Sequence, residues 1–202
     1  MKFQLLTFAT VLSLCDVAIA AQSPAASPAT PPQQTQPKPS QDDLSAQVPT
    51  PKPEDVKSID SILAALYNVI SGPAGERDWN RFRSLFLPGA TLTSAGKDRE
   101  GNIHVRPRTV EGYVTGAGGY FARHGFFESP IVSRVQTFGN VAQVFCSYES
   151  RGAAGEAPFA RGINSIQLAY DGKRWWVVSI LWDEERPDNP LPKEFAVEAG
   201  SK

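Results

Sequence analysis

The segment from Trp175 to Trp182 constrains the fold of this 202-residue chain more than any other feature. It is apolar at nearly every position and follows Asp171-Gly172, a pair typical of a tight hairpin turn, so we predict that it pairs with residues 162–170. Successive side chains of a strand point to opposite faces of the sheet, so both faces of this strand need a cover. Helices can cover one face. On the other we expect a second subunit, giving a homodimer through the sheet, with a loop or the carboxy-terminal tail as the alternative cover.

Two more hairpins are predicted upstream of this strand. Segments 127–138 and 141–150 flank Gly139-Asn140, which also suits a two-residue turn with positive φ. A smaller hairpin joins residues 90–94 to 103–106. The second half of the chain is therefore expected to form an antiparallel sheet.

Apolar residues at helical spacing predict three helices. The first begins near Val56 and ends at Ser71-Gly72-Pro73, and the second is capped by Asp78 and ends at Pro88-Gly89. The third begins at Thr109, and its glycines at 116, 118 and 119 each cost up to about 1 kcal/mol relative to alanine in a helix interior. We therefore expect the third helix to be frayed or curved.

The amino terminus has the pattern of an export signal. Met1-Lys2 precedes an apolar run that ends at Leu14, and Ala18-Ile19-Ala20 supplies the small residues of a cleavage site, so residues 1–20 are predicted to be a signal peptide. The alternative is lipid anchoring at Cys15, but a lipid-modified cysteine normally follows a small residue and Leu14 is not small. The sequence favours export as a periplasmic or secreted protein.

A proline-rich segment separates this leader from the folded part. Nine of the 33 residues in 21–53 are proline and most others are Ala, Ser, Thr or Gln, which predicts an extended, disordered tether. Residues 54–192 are long enough for one ordinary domain. Residues 193–202 are predicted to be a flexible tail.

Charge and motif content exclude several classes of function. The chain has 20 basic and 21 acidic residues, a balance that removes the usual electrostatic reason for nucleic-acid binding. After residue 20 no apolar stretch approaches the roughly 18 residues of a membrane-spanning helix. No HExxH, CxxC or clustered His/Asp pattern occurs, so we expect neither a metal nor a cofactor. Once the leader is removed, Cys146 is the only cysteine, and it is interpreted as a buried small apolar residue.

Helices followed by a curved sheet, at this length, resemble the nuclear transport factor 2-like, or SnoaL-like, superfamily. The resemblance lies in Tyr67–Gly72, Phe82–Leu92, Ile163–Leu168 and Asp171–Val178, and it covers residues 55 to about 185. It implies an α+β cone in which three amino-terminal helices pack on a strongly curved antiparallel sheet and enclose a pocket. The superfamily contains isomerases, dehydratases, cyclases, transport adaptors and non-catalytic binders, so the resemblance implies no single reaction.

Comparison with the ketosteroid isomerase-like members tests one reaction. Those enzymes use an aspartate base and an oxyanion hole made of a tyrosine and a protonated aspartate. The resemblance places Ser94 at the position of the base, and an unactivated serine cannot take a proton from carbon near neutral pH. It places Asn164 at the position of the oxyanion acid, with Tyr67 as a second donor. The isomerase mechanism is therefore disfavoured.

The remaining polar residues of the strands are candidates for a pocket, because an inward polar side chain needs a partner. For Arg134 the alternative is an ion pair with Glu128 or Glu149. His104 is a weak candidate for a catalytic proton shuttle at the mouth of the cone, and the alternative is a solvated residue of the small hairpin. The predicted ligand-binding residues are Tyr67, Tyr113, Arg134, Tyr148, Asn164 and Trp182.

Three functions remain open from the sequence. The favoured one is an exported module that binds a small, partly apolar molecule in the pocket between helices and sheet. The second is a lyase, dehydratase or isomerase that uses a pocket histidine or carboxylate, and the third is a protein-interaction module. Whether the chain is an enzyme depends on whether an acidic or histidine side chain reaches the cavity.

Overall fold

The computed structural model describes residues 44–98 and 100–196. The predicted leader, including Cys15, lies outside the described residues, as do residues 21–43 of the predicted tether and residues 197–202 of the predicted tail. Among the described residues, no helix has the length and apolar character needed to cross a membrane.

Within residues 53–98 and 100–196, four α-helices precede or interrupt the sheet, and three of them begin with a side-chain cap. Ser58, Asp78 and Thr109 each accept a hydrogen bond from a backbone N–H in the first turn, which satisfies a donor that has no partner within the helix. The helix predicted to be frayed or curved is continuous over twelve residues. The helices are α1 (Pro53–Val56), α2 (Ile59–Ile70), α3 (Trp79–Ser84) and α4 (Val110–Phe121).

Six strands form one open, curved sheet in the order β2-β1-β6-β5-β4-β3. Their bounds are β1 (Phe86–Lys97), β2 (Ile103–Thr109), β3 (Phe127–Phe138), β4 (Val141–Arg151), β5 (Ala160–Tyr170) and β6 (Trp175–Glu184). Four of the five neighbouring pairs are antiparallel, as predicted, and β1 and β6 are parallel. The parallel pair arises because α4 carries the chain from β2 to the far edge of the sheet, and the hairpins from β3 to β6 bring it back beside β1.

The second helix ends earlier than predicted. We expected it to extend to Pro88-Gly89, but α3 ends at Ser84 and Phe86 already pairs with Val177 of β6. The N–H of Val177 donates to the carbonyl of Leu85 at 2.9 Å. Pairing with the central strand thus overrides local helix preference at this boundary.

The helices pack on the concave face of the sheet. Alternate residues of β4 and β5 point toward them and are buried, and these include Ala142, Val144, Cys146, Ile166 and Leu168. Register shifts interrupt three of the ladders, between Pro130 and Ser133, between Gln167 and Leu168, and between Phe86 and Thr91. Such irregularities bend a strand, which accounts for the curvature.

The convex face is covered in part by this chain itself. After β6 the chain continues to a short 3-10 helix, Lys193–Phe195, and the buried Phe195 ring packs edge-on against Phe145 of β4 at 5.3 Å between centroids. The carboxy-terminal segment therefore covers part of β4, whereas the cover predicted from the sequence was for β6. Phe138 and Leu181 remain exposed on this face, and the homodimer stays a prediction.

An ion pair joins the first three helices. The Arg81 guanidinium of α3 binds both carboxylate oxygens of Asp55 in α1, at 2.7 and 2.9 Å, and donates to Asn68 of α2 at 2.6 Å. Asp55 is buried, and its hydrogen bonds with Arg81 hold the pKa of its carboxyl below the usual range. This arrangement fixes the position of α2, which carries one wall of the cavity described next.

Candidate functional site

A cavity of about 190 Å³ lies between the helices and the concave face of the sheet. Its aliphatic wall comes from α2 and from the central strands, through residues such as Leu66, Leu92 and Ile166. Its aromatic wall consists of Tyr67, Phe82, Tyr113, Phe126, Tyr148, Phe159 and Trp182. The cavity is therefore mostly apolar, and its few polar groups decide what it can hold.

Glu128 of β3 is the acidic residue within the wall. The Ser150 hydroxyl of β4 donates to its carboxylate at 3.0 Å. The backbone N–H of Glu128 donates to the hydroxyl of Ser71, at the end of α2, also at 3.0 Å. These two hydrogen bonds hold both the strand and the carboxylate in place. Glu128 is half-buried, and it forms part of the cavity wall.

Burial raises the pKa of Glu128 to about 7, from an ordinary value of 4.5. Hydrogen bonds from Ser150 and Asn164 oppose the rise because they stabilise the charged form, and the negative charge of Glu184 adds to it. At neutral pH both the protonated and the charged forms are populated. This carboxyl can therefore donate or accept a proton in the physiological range.

Asn164 and Tyr67 lie side by side in the wall. The Asn164 amide donates to the Tyr67 hydroxyl at 3.3 Å, and that hydroxyl lies 3.1 Å from the Cys146 sulfur. Burial raises the pKa of the Tyr67 phenol and that of the Cys146 thiol, so both groups stay protonated. Cys146 is buried, as predicted from the sequence, and acts as part of the core.

Two further phenols face the cavity. Tyr113 stacks on Phe82 at 5.3 Å between ring centroids, and Tyr148 crosses over Gly162 of the neighbouring strand. Within residues 44–98 and 100–196, neither hydroxyl has a hydrogen-bond partner. Burial and the charge of Glu128 raise the pKa of both phenols, which makes them neutral groups available to a ligand.

The mouth of the cavity is formed by Phe159, Trp182 and Glu184. Phe159 is 57% exposed, and its ring lies 6.2 Å from that of Phe126. Glu184, at the end of β6, is exposed. The entrance is therefore aromatic with an acidic rim.

Five of the six predicted ligand-binding residues line this cavity, namely Tyr67, Tyr113, Tyr148, Asn164 and Trp182. The sixth, Arg134, lies on the convex face, where its guanidinium packs 5.4 Å from the Phe195 ring. Simple alternation along β3 would put Arg134 and Glu128 on one face. The irregularity between Pro130 and Ser133 shifts that alternation by one residue, so the predicted role of Arg134 in the pocket is wrong.

Neither predicted ion pair of Arg134 forms. Glu128 bonds to Ser150, and Glu149 pairs with Arg151 at 2.6 Å. Arg134 instead donates to the backbone carbonyl of Glu194 at 3.5 Å.

His104 lies on β2, at the edge of the sheet, where it pairs with Gly96. It is not among the residues that line the cavity, so the predicted proton shuttle at the mouth is wrong. Ser94 does not line the cavity either. The lining holds the carboxyls of Glu128 on β3 and Glu184 at the end of β6, and the sequence pattern had suggested Glu128 only as an ion-pair partner of Arg134.

A signal for Glu128 was present in the sequence. The residue stands between Phe126-Phe127 and Ser129-Pro130, with no basic residue next to it. A charged residue in an apolar strand without a nearby counter-charge indicates a buried carboxyl with a raised pKa. Among the described residues, no group of three or more His, Cys, Asp or Glu side chains could hold a metal ion.

Comparisons with known proteins bear on the fold. No family model matches the sequence, and no curated protein matches it. A protein of unknown function with a cystatin-like fold from Nostoc punctiforme is 11% identical over 66% of this chain and 92% of its own, with a TM-score of 0.50. An NTF2-like protein of unknown function from Methylobacillus flagellatus is 13% identical over 64% of this chain and 95% of its own, with a TM-score of 0.43.

A third solved structure, from Streptomyces avermitilis, is a provisionally assigned dehydratase of the NTF2-like family. It is 12% identical over 65% of this chain and 96% of its own, with a TM-score of 0.46. Identities this low concern the fold alone. The α+β architecture predicted from the sequence, with helices packed on one curved and mostly antiparallel sheet, is confirmed.

Proposed function

We propose that this chain with the nuclear transport factor 2-like fold binds a small, mostly apolar molecule in the cavity and holds the polar group of that molecule near Glu128. The observation that carries the proposal is the composition of the wall. Apolar and aromatic side chains surround a few polar groups, Glu128, Asn164 and the Tyr113 and Tyr148 phenols, that converge on one space. Pre-formed cavities of this kind are the usual sites of small ligands.

The size of the cavity limits the ligand. An engineered apolar cavity of about 150 Å³ binds benzene. A cavity of about 190 Å³ therefore has room for one six-membered ring with a short substituent. Ligands with several fused rings exceed this volume.

The unpartnered phenols of Tyr113 and Tyr148 support binding at the polar end. A hydroxyl turned into an apolar cavity loses hydrogen bonds that it makes in water. A ligand carrying one polar group restores them. The same groups fix the orientation of the ligand, because the rest of the wall is apolar.

Proton transfer is a second candidate function, and Glu128 favours it. This carboxyl lies in the cavity wall and its pKa is raised to about 7, close to the value that suits a general acid or base near neutral pH. Charge that develops on a substrate oxygen would be stabilised by the Asn164 amide and the phenols. Glu128 then replaces His104 as the proton-transfer residue of a lyase or isomerase.

We also propose that the protein acts outside the cytoplasm, as a periplasmic or secreted protein. This proposal rests on the signal peptide predicted at residues 1–20.

Binding is tested with toluene and benzyl alcohol, two neutral molecules of suitable size. We expect both to raise the melting temperature and to shift the NMR signals of cavity residues such as Tyr67 and Ile166, because a ligand that binds only the native state stabilises it. The variant Ala160→Phe fills the cavity wall and should abolish both effects. Ala169→Phe places the same ring on the other face of β5 and should leave both effects unchanged. Signal changes confined to the convex face, or binding that survives Ala160→Phe, would refute the proposal.

A further inference from the structure

We propose that the cavity selects a small organic cation, a ring that carries an amine, with the Glu128 carboxylate as its counter-ion. This inference rests on the proposed function and names the class of ligand. It follows from the charges of the lining, from the aromatic faces around the space, and from the hydrogen-bond acceptors that the wall leaves free.

The charged side chains of the lining are all acidic. They are Glu128 in the wall and Glu184 at the mouth, and no Lys, Arg or His of the described residues lines the cavity. Two arginines near the mouth are held by other carboxylates, since Arg161 pairs with Glu185 at 2.7 Å and Arg186 pairs with Asp183 at 2.6 Å. The charge of Arg108 acts on Tyr113, but Arg108 is not part of the lining. An anionic ligand would meet two carboxylates and no cation in the lining, whereas a cation would complete the site.

The aromatic walls favour the same class of ligand. The face of an aromatic ring attracts a cation, and this attraction grows when water is excluded. Tyr113, Tyr148 and Trp182 line the same space as the carboxyl of Glu128. A ring-bearing amine would place its apolar body against these rings and its ammonium group at the carboxylate.

The wall also offers the acceptors that an ammonium group needs. The Asn164 amide nitrogen donates to the Tyr67 hydroxyl at 3.3 Å, and within residues 44–98 and 100–196 no hydrogen bond engages its carbonyl oxygen, which can therefore accept from a donor in the cavity. The phenol oxygens of Tyr113 and Tyr148 can accept hydrogen bonds as well. With the Glu128 carboxylate, these oxygens satisfy the three N–H groups of a primary ammonium.

Binding of a cation changes the protonation of Glu128. Without a counter-charge this carboxyl is partly protonated near neutral pH, and a neighbouring ammonium favours its charged form, so binding releases a proton. The other charged or titratable groups that act on this region are Tyr67, Tyr113, Tyr148, Cys146, the carboxylates of Asp183 and Glu184, and Arg108, whose charge opposes the rise in the pKa of Tyr113. Burial keeps the phenols and the thiol protonated, which leaves Glu128 as the source of the released proton.

The test compares three molecules of similar size, benzylamine, benzyl alcohol and benzoate, by isothermal titration calorimetry of the full chain at pH 7. We expect benzylamine to bind at least tenfold more tightly than benzyl alcohol, and benzoate to bind more weakly than both. Titrations in buffers of different ionisation enthalpy should show that benzylamine releases a fraction of a proton per molecule bound. Benzyl alcohol should release none.

Two variants locate the effect. Glu128→Gln preserves the shape of the side chain and should abolish the preference for benzylamine, so that the affinities of benzylamine and benzyl alcohol for this variant differ by less than about threefold. Glu149→Gln removes a carboxylate that pairs with Arg151 outside the cavity and should change neither affinity. A melting curve of each variant confirms that it is folded, and the comparison of the three ligands on the unmodified chain does not depend on either variant.

The outcomes separate this inference from the proposed function. If benzyl alcohol binds in the cavity as tightly as benzylamine, or if benzoate binds most tightly, the selection of a cation is refuted and the binding function stands. If none of the three molecules binds, both are refuted. A preference for benzylamine that survives Glu128→Gln would also overturn the assignment of the counter-ion.

Discussion

Replacing Trp176 with alanine is expected to lower the free energy of unfolding by about 3–5 kcal/mol. The indole is 1% exposed, and its Nε1–H donates to a carboxylate oxygen of Asp171 at 2.8 Å. The Arg174 guanidinium stacks on the ring at 3.7 Å and donates to the carbonyl of Ser84 at 2.5 Å. Burial lowers the pKa of Arg174 to about 10, and the negative charge of Asp171 opposes this change. Truncation would leave a void and remove the aromatic face that supports a buried cation.

Urea unfolding followed by circular dichroism measures this loss. Trp182→Ala is the matched control, because Trp182 lies on the same strand but lines the partly open cavity, and its removal should cost clearly less. A loss of less than about 1 kcal/mol for Trp176→Ala, below the usual cost of emptying an aromatic core site, would show that the ring is peripheral.

Adding a methyl group at Gly162 is the second change with a large expected effect. A Cβ atom there would lie 2.3 Å from the backbone carbonyl oxygen of Asp183 and 2.7 Å from the Tyr148 hydroxyl. Both distances are shorter than van der Waals contact, and the carbonyl belongs to the paired strand β6. We therefore expect Gly162→Ala to cost about 3 kcal/mol, as overpacking does, and to displace Tyr148 from the cavity wall.

The control for this change is Gly116→Ala on α4. A Cβ atom at Gly116 meets nothing within 4 Å, and alanine favours the helix by up to about 1 kcal/mol, so this variant should be slightly stabilised. Thermal or urea unfolding of the two variants gives the comparison. If Gly162→Ala proved as stable as the unmodified chain, the close crossing of Tyr148 over β5 would be incorrect.

Local patterns predicted the parts of the fold that depend on local geometry. The two-residue turn at Gly139-Asn140 forms as predicted, whereas Asp171-Gly172 opens a four-residue connection, 171–174, instead of a two-residue turn; both glycines have positive φ. The predicted helix cap at Asp78 also forms. These features follow from residues close in sequence, which is why the sequence alone indicated them.

Features set by long-range pairing were not predictable in the same way. β1 pairs in parallel with β6 because the chain comes back beside β1 only after it has formed β2, β3, β4 and β5. The irregularity between Pro130 and Ser133 changes which face each later residue of β3 occupies, and it moved Arg134 out of the cavity. Tyr148 and Asn164 were predicted to line the pocket because each is a polar residue in an otherwise apolar strand. Glu128 is also such a residue, but it was interpreted as a partner of Arg134, and that ion pair does not form.

The proposed function requires that Glu128 lies in the mostly apolar cavity, where it serves as the polar anchor of a ligand. Its protonation should therefore affect stability. The native state binds this proton more tightly than the unfolded chain, so the contribution of Glu128 is complete below pH 4.5 and is lost as the pH rises toward about 7. Glu128→Gln should remove this dependence.

The most direct measurement is a carbon-13 NMR titration of the Glu128 side-chain carboxyl in the ligand-free protein, assigned by comparison with Glu128→Gln. We expect the Glu128 carboxyl to titrate with a midpoint near pH 7. A midpoint near the ordinary value of 4.5 would mean that water reaches the carboxylate freely, and it would contradict the proposed site.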